Sequence, residues 1–121
     1  MENLTDIQQA LRDFSQERDW DQFHSPKNLA MALSVEASEL LEHFQWLNEA
    51  QSSELNDETW NQVRDEIADV QVYLVRIADK LGIDILEAVA QKMEKNRQKY
   101  PADKVRGSSK KYTAYVDVED Q

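Results

Sequence analysis

The sequence contains no cysteine and only two glycines and two prolines among its 121 residues. Without cysteine, disulfide bonds and thiolate metal sites are excluded, and nothing favours an oxidising compartment. The scarcity of glycine and proline leaves few positions for tight turns, which favours a few long helices over many short strands. No apolar run approaches the roughly 20 residues that span a bilayer, and the acidic first residues do not resemble a signal peptide. We therefore expect one all-α domain that is cytoplasmic and does not bind a membrane.

Positive charge is also scarce, and it is distributed unevenly. The formal net charge is −10, which disfavours a nucleic acid polymer as the ligand. Eight of the 14 lysines and arginines nevertheless fall between Lys92 and Lys111. This basic segment is either a solvated tail or a surface that holds a small anion near an acidic, cation-binding site. Composition leaves both alternatives open.

The first half of the chain predicts two helices. Apolar residues recur at helical spacing over residues 4–14, and Thr5 followed by Gln8 has the pattern of a capping box. Ser25, followed by a proline, marks the beginning of the second helix. Its apolar stripe predicts that it runs to about Trp46.

The second half predicts two more helices and completes a four-helix bundle. The third helix begins at residue 56 or 57, and Leu81-Gly82 ends it, because glycine commonly follows the last helical residue. Asp84 caps a fourth helix, which stops before Pro101. The polar stretch 48–56 interrupts the helical pattern, and the chain beyond Pro101 is expected to be a loop or a mobile tail.

The second helix carries an acid on its apolar stripe. Glu36 occupies a position that the spacing of Leu29, Leu33 and Leu40 would assign to an apolar residue. Glu39 lies one turn further along the same side. A carboxylate on the buried face of a helix costs several kcal/mol unless it is paired or coordinates a metal.

The third helix repeats this spacing with Glu66 and Asp69. If the two helices pack together, four carboxylates meet, and their repulsion is removed by protons or by cations. Oxygen ligands alone select Mg²⁺, with Mn²⁺ as a substitute, over zinc. A solvated acidic face is the alternative, since acid pairs at this spacing also occur by chance. A di-iron site is disfavoured because it requires Glu-x-x-His on two helices, whereas His43 follows Glu39 by four positions.

Side chains suited to a nucleotide surround the predicted acid site. Trp20, Phe23 and Trp46 offer flat faces for a base, and His24 can hydrogen-bond to the edge of the base. Tyr73 follows the second acid pair by one turn and is placed to pack on a sugar. Ordinary packing in the core or at a subunit interface is the alternative for each aromatic residue.

The motif Glu36-x-x-Glu39 followed by Glu66-x-x-Asp69 resembles the ExxE…ExxD motif of the MazG-like, all-α nucleoside triphosphate pyrophosphohydrolases. Within that family, the flanking segments are most similar to the dCTP pyrophosphatases; these segments are 18–24, 26–29, 39–46, 96–101 and 108–113. The similarity extends from about residue 4 to residue 113. We therefore expect a domain at 1–113 and an acidic C-terminal tail at 114–121.

This resemblance implies the hydrolysis of dCTP, including its 5-modified forms, to the monophosphate and pyrophosphate, which removes these nucleotides before a polymerase uses them. It implies that Mg²⁺ is bound by the four acids of the motif, of which Glu39 or Glu66 is the expected general base. The implied substrate-binding residues are Trp20, Asp21, Gln22, Phe23, His24, Trp46, Tyr73, Asn96 and Lys99. The last two are assigned to the pyrophosphate group. The resemblance also implies a homodimer or homotetramer whose sites are shared between subunits.

One position departs from the resemblance. Close eukaryotic relatives carry a histidine in the first helix where Leu11 stands here, so the base selectivity is expected to be looser or differently achieved. Two other functions stay open. The chain is alternatively a pyrophosphatase for another nucleotide, or a helical module that binds a nucleotide or a partner without cleaving it. The four intact acids argue against the second alternative.

Overall fold

The computed structural model of the chain describes residues 1–108, which are helical and contain no β-strand. The α-helices are α1 (Leu4–Glu17), α2 (Pro26–Glu42), α3 (Glu49–Ser52), α4 (Asp57–Lys80), α5 (Ile85–Lys99) and α6 (Ala102–Val105), and a 3₁₀ turn spans Asp21–Phe23. The all-α prediction is confirmed. The described chain divides into two compact units, Met1–Ile83 and a second unit that begins at Asp84. The predicted tail at 114–121 and most of the matched segment 108–113 lie outside the described residues.

Three helices begin where the sequence predicts, because a side chain caps each of them. The Ser25 side chain accepts a hydrogen bond from the backbone N–H of Asn28 at 3.1 Å, immediately before Pro26. Asn56 caps α4 and Asp84 caps α5 in the same way. Each cap satisfies a backbone N–H that has no partner within the first turn of its helix.

The cap predicted for α1 is wrong. The helix begins at Leu4, and the Asn3 side chain accepts a hydrogen bond from the backbone N–H of Asp6 at 2.9 Å. Thr5 is therefore already inside the first turn and cannot serve as the cap. The side chain of Gln8 instead donates a hydrogen bond to Asp79 at 2.8 Å.

Three predictions about the connections also need correction. Helix α2 ends at Glu42 rather than near Trp46, and residues 43–46 form turns. The polar stretch predicted to interrupt the helical pattern contains α3, in which the side chains of Asn48 and Gln51 each accept a hydrogen bond from the other's backbone N–H. This reciprocal cap stabilises a single helical turn in a polar sequence. After Pro101, the chain forms α6 rather than a loop.

In the first unit, α4 packs against both α2 and α1. The buried apolar residues are Leu29, Val63, Val75 and Ala78. The stripe predicted on α4 is only partly buried, because Ile67 and Leu74 are 55% and 40% exposed. Helix α4 contacts two helices, and its buried residues do not follow the one predicted stripe.

The second unit is described by itself. Helix α5 begins at Ile85 and carries the predicted apolar stripe, but none of its residues is buried. Val89 and Met93 are each about half exposed. Over the described part of the chain, no helix combines the length and the apolar composition needed to cross a membrane.

Candidate metal and nucleotide site

Helices α2 and α4 bring three of the four predicted acids together. Carboxylate oxygens of Glu36, Glu39 and Glu66 all lie within 4.8 Å of one another, and each of these side chains is partly buried. Glu36 and Glu39 are close because residues three apart lie on the same face of a helix. The packing of α2 on α4 adds Glu66. Asp69 is exposed and lies outside this group of three.

Two oxygens in this acid cluster, Glu36 Oε2 and Glu66 Oε2, are buried and have no hydrogen-bond donor among residues 1–108. The ion pairs of residues 1–108 include none that involves the cluster or Asp69. Burial raises the pKa of Glu36 to about 7, with further increases from its contacts with Glu66 and Glu39 and from the charges of Glu39 and Asp69. Because such carboxylates are stabilised by a proton or a cation, the acid cluster fits a hard divalent ion.

The predicted base-binding segment, residues 20–24, includes the 3₁₀ turn between α1 and α2. Trp20 packs edge-on against Phe14, with ring centroids 5.7 Å apart, and remains 46% exposed. Phe23 is 59% exposed. The Gln22 amide donates to the backbone carbonyl and the carboxylate of Asp19, each at 3.0 Å. The two aromatic residues therefore keep accessible surface for a base, whereas Gln22 closes the turn.

Asp21 and His24 are tied to α4 by Arg76. Nη2 of Arg76 donates to Asp21 Oδ1 at 3.0 Å and lies 3.1 Å from His24 Nδ1. Lys80 Nζ also donates to Asp21, at 2.6 Å. The hydrogen bonds from Lys80 and Arg76 lower the pKa of Asp21. Burial, followed by the positive charge of Arg76, lowers the pKa of His24.

Sequence reasoning did not identify Arg76. The residue lies between Val75 and Ile77 in an apolar part of α4, and only 3% of its surface is exposed. A permanently charged guanidinium in such a run requires buried partners. An arginine in an apolar stretch of a helix could therefore have indicated a buried polar contact. The sequence does not show which residues make that contact.

Asp79 extends this network to α1. Its carboxylate accepts hydrogen bonds from Gln8 at 2.8 Å and from Arg12 at 2.7 Å, and it lies 3.7 Å from Arg76. The hydrogen bond from Arg12 is the largest cause of the lowered pKa of Asp79. The polar network therefore connects α1, α4 and the 3₁₀ turn.

The remaining predicted substrate residues lie elsewhere. Trp46 is 87% exposed in the turns that follow α2. Tyr73 is partly buried on α4, one turn beyond Asp69. Asn96 and Lys99 lie on α5, in the second unit.

Known proteins resemble this chain over most of its length. Residues 31–114 match the model of the MazG-like family. The chain is 43% identical over 115 residues to dCTP pyrophosphatase 1 of Rattus norvegicus, and 42% identical over 115 residues to dCTP pyrophosphatase 1 of Homo sapiens. Each alignment covers 91% of this chain and 66% of the relative. The chain thus spans just under two thirds of the length of these curated relatives.

A solved structure is similar in both sequence and fold. The crystal structure of a pyrophosphatase from Archaeoglobus fulgidus aligns with a TM-score of 0.77 and 43% sequence identity. The alignment covers 80% of this chain and 91% of that chain. The segment that matches the family model contains all four acids of the predicted motif.

Proposed function

Because the chain belongs to the MazG-like family, as its acid motif predicts, we propose that it is a pyrophosphohydrolase that converts dCTP to dCMP and pyrophosphate. The observation that carries this proposal is the meeting of Glu36, Glu39 and Glu66, with two buried carboxylate oxygens for which the described residues supply no donor. Relatives named dCTP pyrophosphatase support the choice of nucleotide. The 5-modified forms of dCTP are included in the proposed substrate class.

The proposed cofactor is Mg²⁺, with Mn²⁺ as a substitute, held by Glu36, Glu39, Glu66 and Asp69. All four ligands are carboxylates, which prefer hard ions. When bound, the ion neutralises negative charge on the triphosphate and on the transition state. The protein contributes a concentrated negative charge on two packed helices.

The reaction requires a water molecule to attack the α-phosphorus. A bond forms between the water oxygen and this phosphorus, and the bond to the oxygen that bridges the α- and β-phosphorus breaks. Glu39 or Glu66 is the proposed general base that accepts the proton of the water. The released pyrophosphate is assigned to Asn96 and Lys99 on the basis of their matched sequence segment alone.

Exposed aromatic surface supports the nucleotide assignment. Trp20, Phe23 and Trp46 present 46%, 59% and 87% of their surfaces to solvent. A base that stacks on such a ring gains about 1–3 kcal/mol. We assign these three residues and His24 to the base, and Tyr73 to the deoxyribose.

We further propose that the chain forms a homodimer or homotetramer with shared sites. Helix α4 carries exposed apolar residues at intervals of seven, namely Trp60, Ile67 and Leu74. Leu81 continues the interval immediately after the last helical residue. We call these four residues the α4 seam. Their exposed fractions are 54%, 55%, 40% and 54%. Seven residues make nearly two helical turns, so the seam lies on one face. A line of exposed apolar side chains of this kind is typical of a helix that packs against another subunit.

The direct test is the identity of the products. The protein is incubated with dCTP and MgCl₂, and the products are separated by anion-exchange chromatography. We expect equal amounts of dCMP and pyrophosphate. Release of orthophosphate alone, or binding of dCTP without any turnover, would contradict the proposal. Binding without turnover would favour a non-catalytic module.

Substrate choice is tested by a panel of the common ribonucleoside and deoxyribonucleoside triphosphates, together with 5-modified dCTPs. We expect the highest kcat/KM for dCTP or one of its 5-modified forms. A higher value for a purine nucleotide would indicate a pyrophosphatase of different specificity. The panel therefore separates the substrate assignment from the reaction assignment.

A further inference from the structure

A contribution to stability alone does not explain why position 76 carries a buried arginine. The residue is 3% exposed, and its Nε atom is buried with no hydrogen-bond partner in the described part of the chain. A buried ion pair often contributes no more stability than well-packed apolar residues of similar volume. A function that requires a charged hydrogen-bond donor would account for the arginine, because an apolar side chain could not perform it.

The contact between Arg76 and His24 determines where the histidine ring carries its proton. A guanidinium group only donates hydrogen bonds. The 3.1 Å contact between Arg76 Nη2 and His24 Nδ1 therefore requires a lone pair on Nδ1. The neutral ring then carries its single proton on Nε2, since the bond at one nitrogen sets the state of the other.

The surrounding charges favour the neutral ring. Burial is the largest cause of the lowered pKa of His24, and the positive charges of Arg76 and Lys80, both on α4, lower it further. The negative charge of Asp21, in the 3₁₀ turn, raises the pKa of His24. Asp21 is itself bound by Arg76 and Lys80.

The second ring nitrogen is available for a ligand. Among the hydrogen bonds of residues 1–108, the side chain of His24 takes part only through Nδ1, while its backbone N–H donates to Asp21. His24 is partly exposed and follows Phe23 in the chain, and Phe23 is 59% exposed. The segment therefore combines an N–H donor on His24 with an exposed aromatic residue of the kind that stacks on a base.

We propose that Arg76 is a positioning residue that holds His24 as the neutral Nε2–H tautomer, so that Nε2 donates a hydrogen bond to the N3–O2 edge of cytosine. Both atoms of that edge accept hydrogen bonds, whereas N3 of uracil or thymine carries a proton. A donor directed at N3 therefore selects cytosine over the other pyrimidines. The contact between His24 and cytosine rests on the proposed function, whereas the tautomer of His24 does not depend on it.

The state of His24 is tested by NMR on the full chain with ¹⁵N-labelled histidine. The chain has two histidines, and His43→Asn assigns the signals. In the wild-type protein we expect the Nε2–H tautomer and a pKa of His24 below its ordinary value of about 6.5. In Arg76→Met we expect this pKa to rise and the tautomer preference to weaken. A wild-type ring in the Nδ1–H form, or a pKa unaffected by Arg76→Met, would overturn the proposal.

Arg12→Met is the matched control. Arg12 bonds to Asp79 in the same polar network but does not contact His24. Loss of this arginine should leave the His24 spectrum unchanged, whereas a general loosening of the network would alter it. If Arg76→Met does not fold, Arg76→Lys retains the positive charge, and the wild-type spectrum still decides the tautomer.

Kinetics test whether this histidine state serves base recognition. We expect Arg76→Met to raise KM for dCTP about tenfold, which corresponds to the loss of one well-placed hydrogen bond, with a small change in kcat. The preference for dCTP over dTTP should fall, and Arg12→Met should preserve it. An unchanged KM and preference would overturn the role in base recognition. If no nucleotide is turned over by the wild-type protein, the proposed function fails and the base assignment fails with it, while the spectra decide the histidine state independently.

Discussion

Glu36 and Glu66 meet between the packed helices α2 and α4, and each has one buried carboxylate oxygen without a hydrogen-bond donor among residues 1–108. Neither Arg76 nor any other cation of the described ion pairs neutralises them. The buried Arg76 instead donates a hydrogen bond to Asp21 in the 3₁₀ turn. This separation leaves the acid cluster available to a proton or to an external cation, and it leads to the first two predictions.

The affinity for Mg²⁺ should depend on pH near neutrality. The pKa of Glu36 is raised to about 7, so below that pH a bound proton competes with the ion. We expect the affinity to increase with pH and to level off above about pH 7, with protons released on binding. Isothermal titration calorimetry in buffers of different ionisation enthalpy measures both effects. A flat profile would show that Glu36 does not bind the ion.

Glu36→Gln should stabilise the metal-free protein while weakening Mg²⁺ binding. A raised carboxyl pKa means that the folded state loses stability as the pH rises from the ordinary value towards about 7. Above that pH, an uncharged amide removes the repulsion, and we expect a gain of about 1 kcal/mol. Thermal unfolding with EDTA, compared at acidic and alkaline pH, measures the difference. Glu42→Gln, an exposed change on the same helix, is the control and should have no such effect.

Glu39→Gln should abolish turnover without unfolding the protein. Glu39 supplies a carboxylate to the acid cluster, and an amide oxygen carries no full charge to hold a cation. We expect kcat to fall by about 100-fold or more, a loss of about 3 kcal/mol of transition-state stabilisation. Pyrophosphate release is measured beside circular dichroism, with Glu42→Gln again as the control. Full activity of Glu39→Gln would remove this residue from the site.

Trp60→Glu should reduce the oligomeric state. A charge in the α4 seam would be buried without a partner in the proposed interface. Size-exclusion chromatography with light scattering gives the mass, and we expect a smaller species than for the wild-type protein. Gln62→Glu adds the same charge to an exposed position on another face of α4 and should preserve the assembly. A wild-type monomer would refute the proposed oligomer outright.

Features that depend on neighbouring residues were predictable from the sequence. Ser25, Asn56 and Asp84 each cap a helix through a backbone N–H three residues away, so the pattern and the contact occupy the same short segment. The all-α class and the spacing of Glu36 and Glu39 followed for the same reason. The α1 cap was mispredicted because Asn3 and Thr5 are both competent acceptors, and their local sequence does not decide between them.

Features that depend on packing between distant segments were decided only by the tertiary structure. The sequence places Glu36 and Glu66 on two helices, but the packing of α2 on α4 brings their oxygens together and leaves Asp69 exposed. Arg76 binds Asp21, which is 55 residues away, and no periodicity relates the two. The sequence alone therefore determined the helices and the acid pairs, because these arise from local geometry. The acid cluster and the polar network that holds His24 depend on helix packing, which local patterns do not encode.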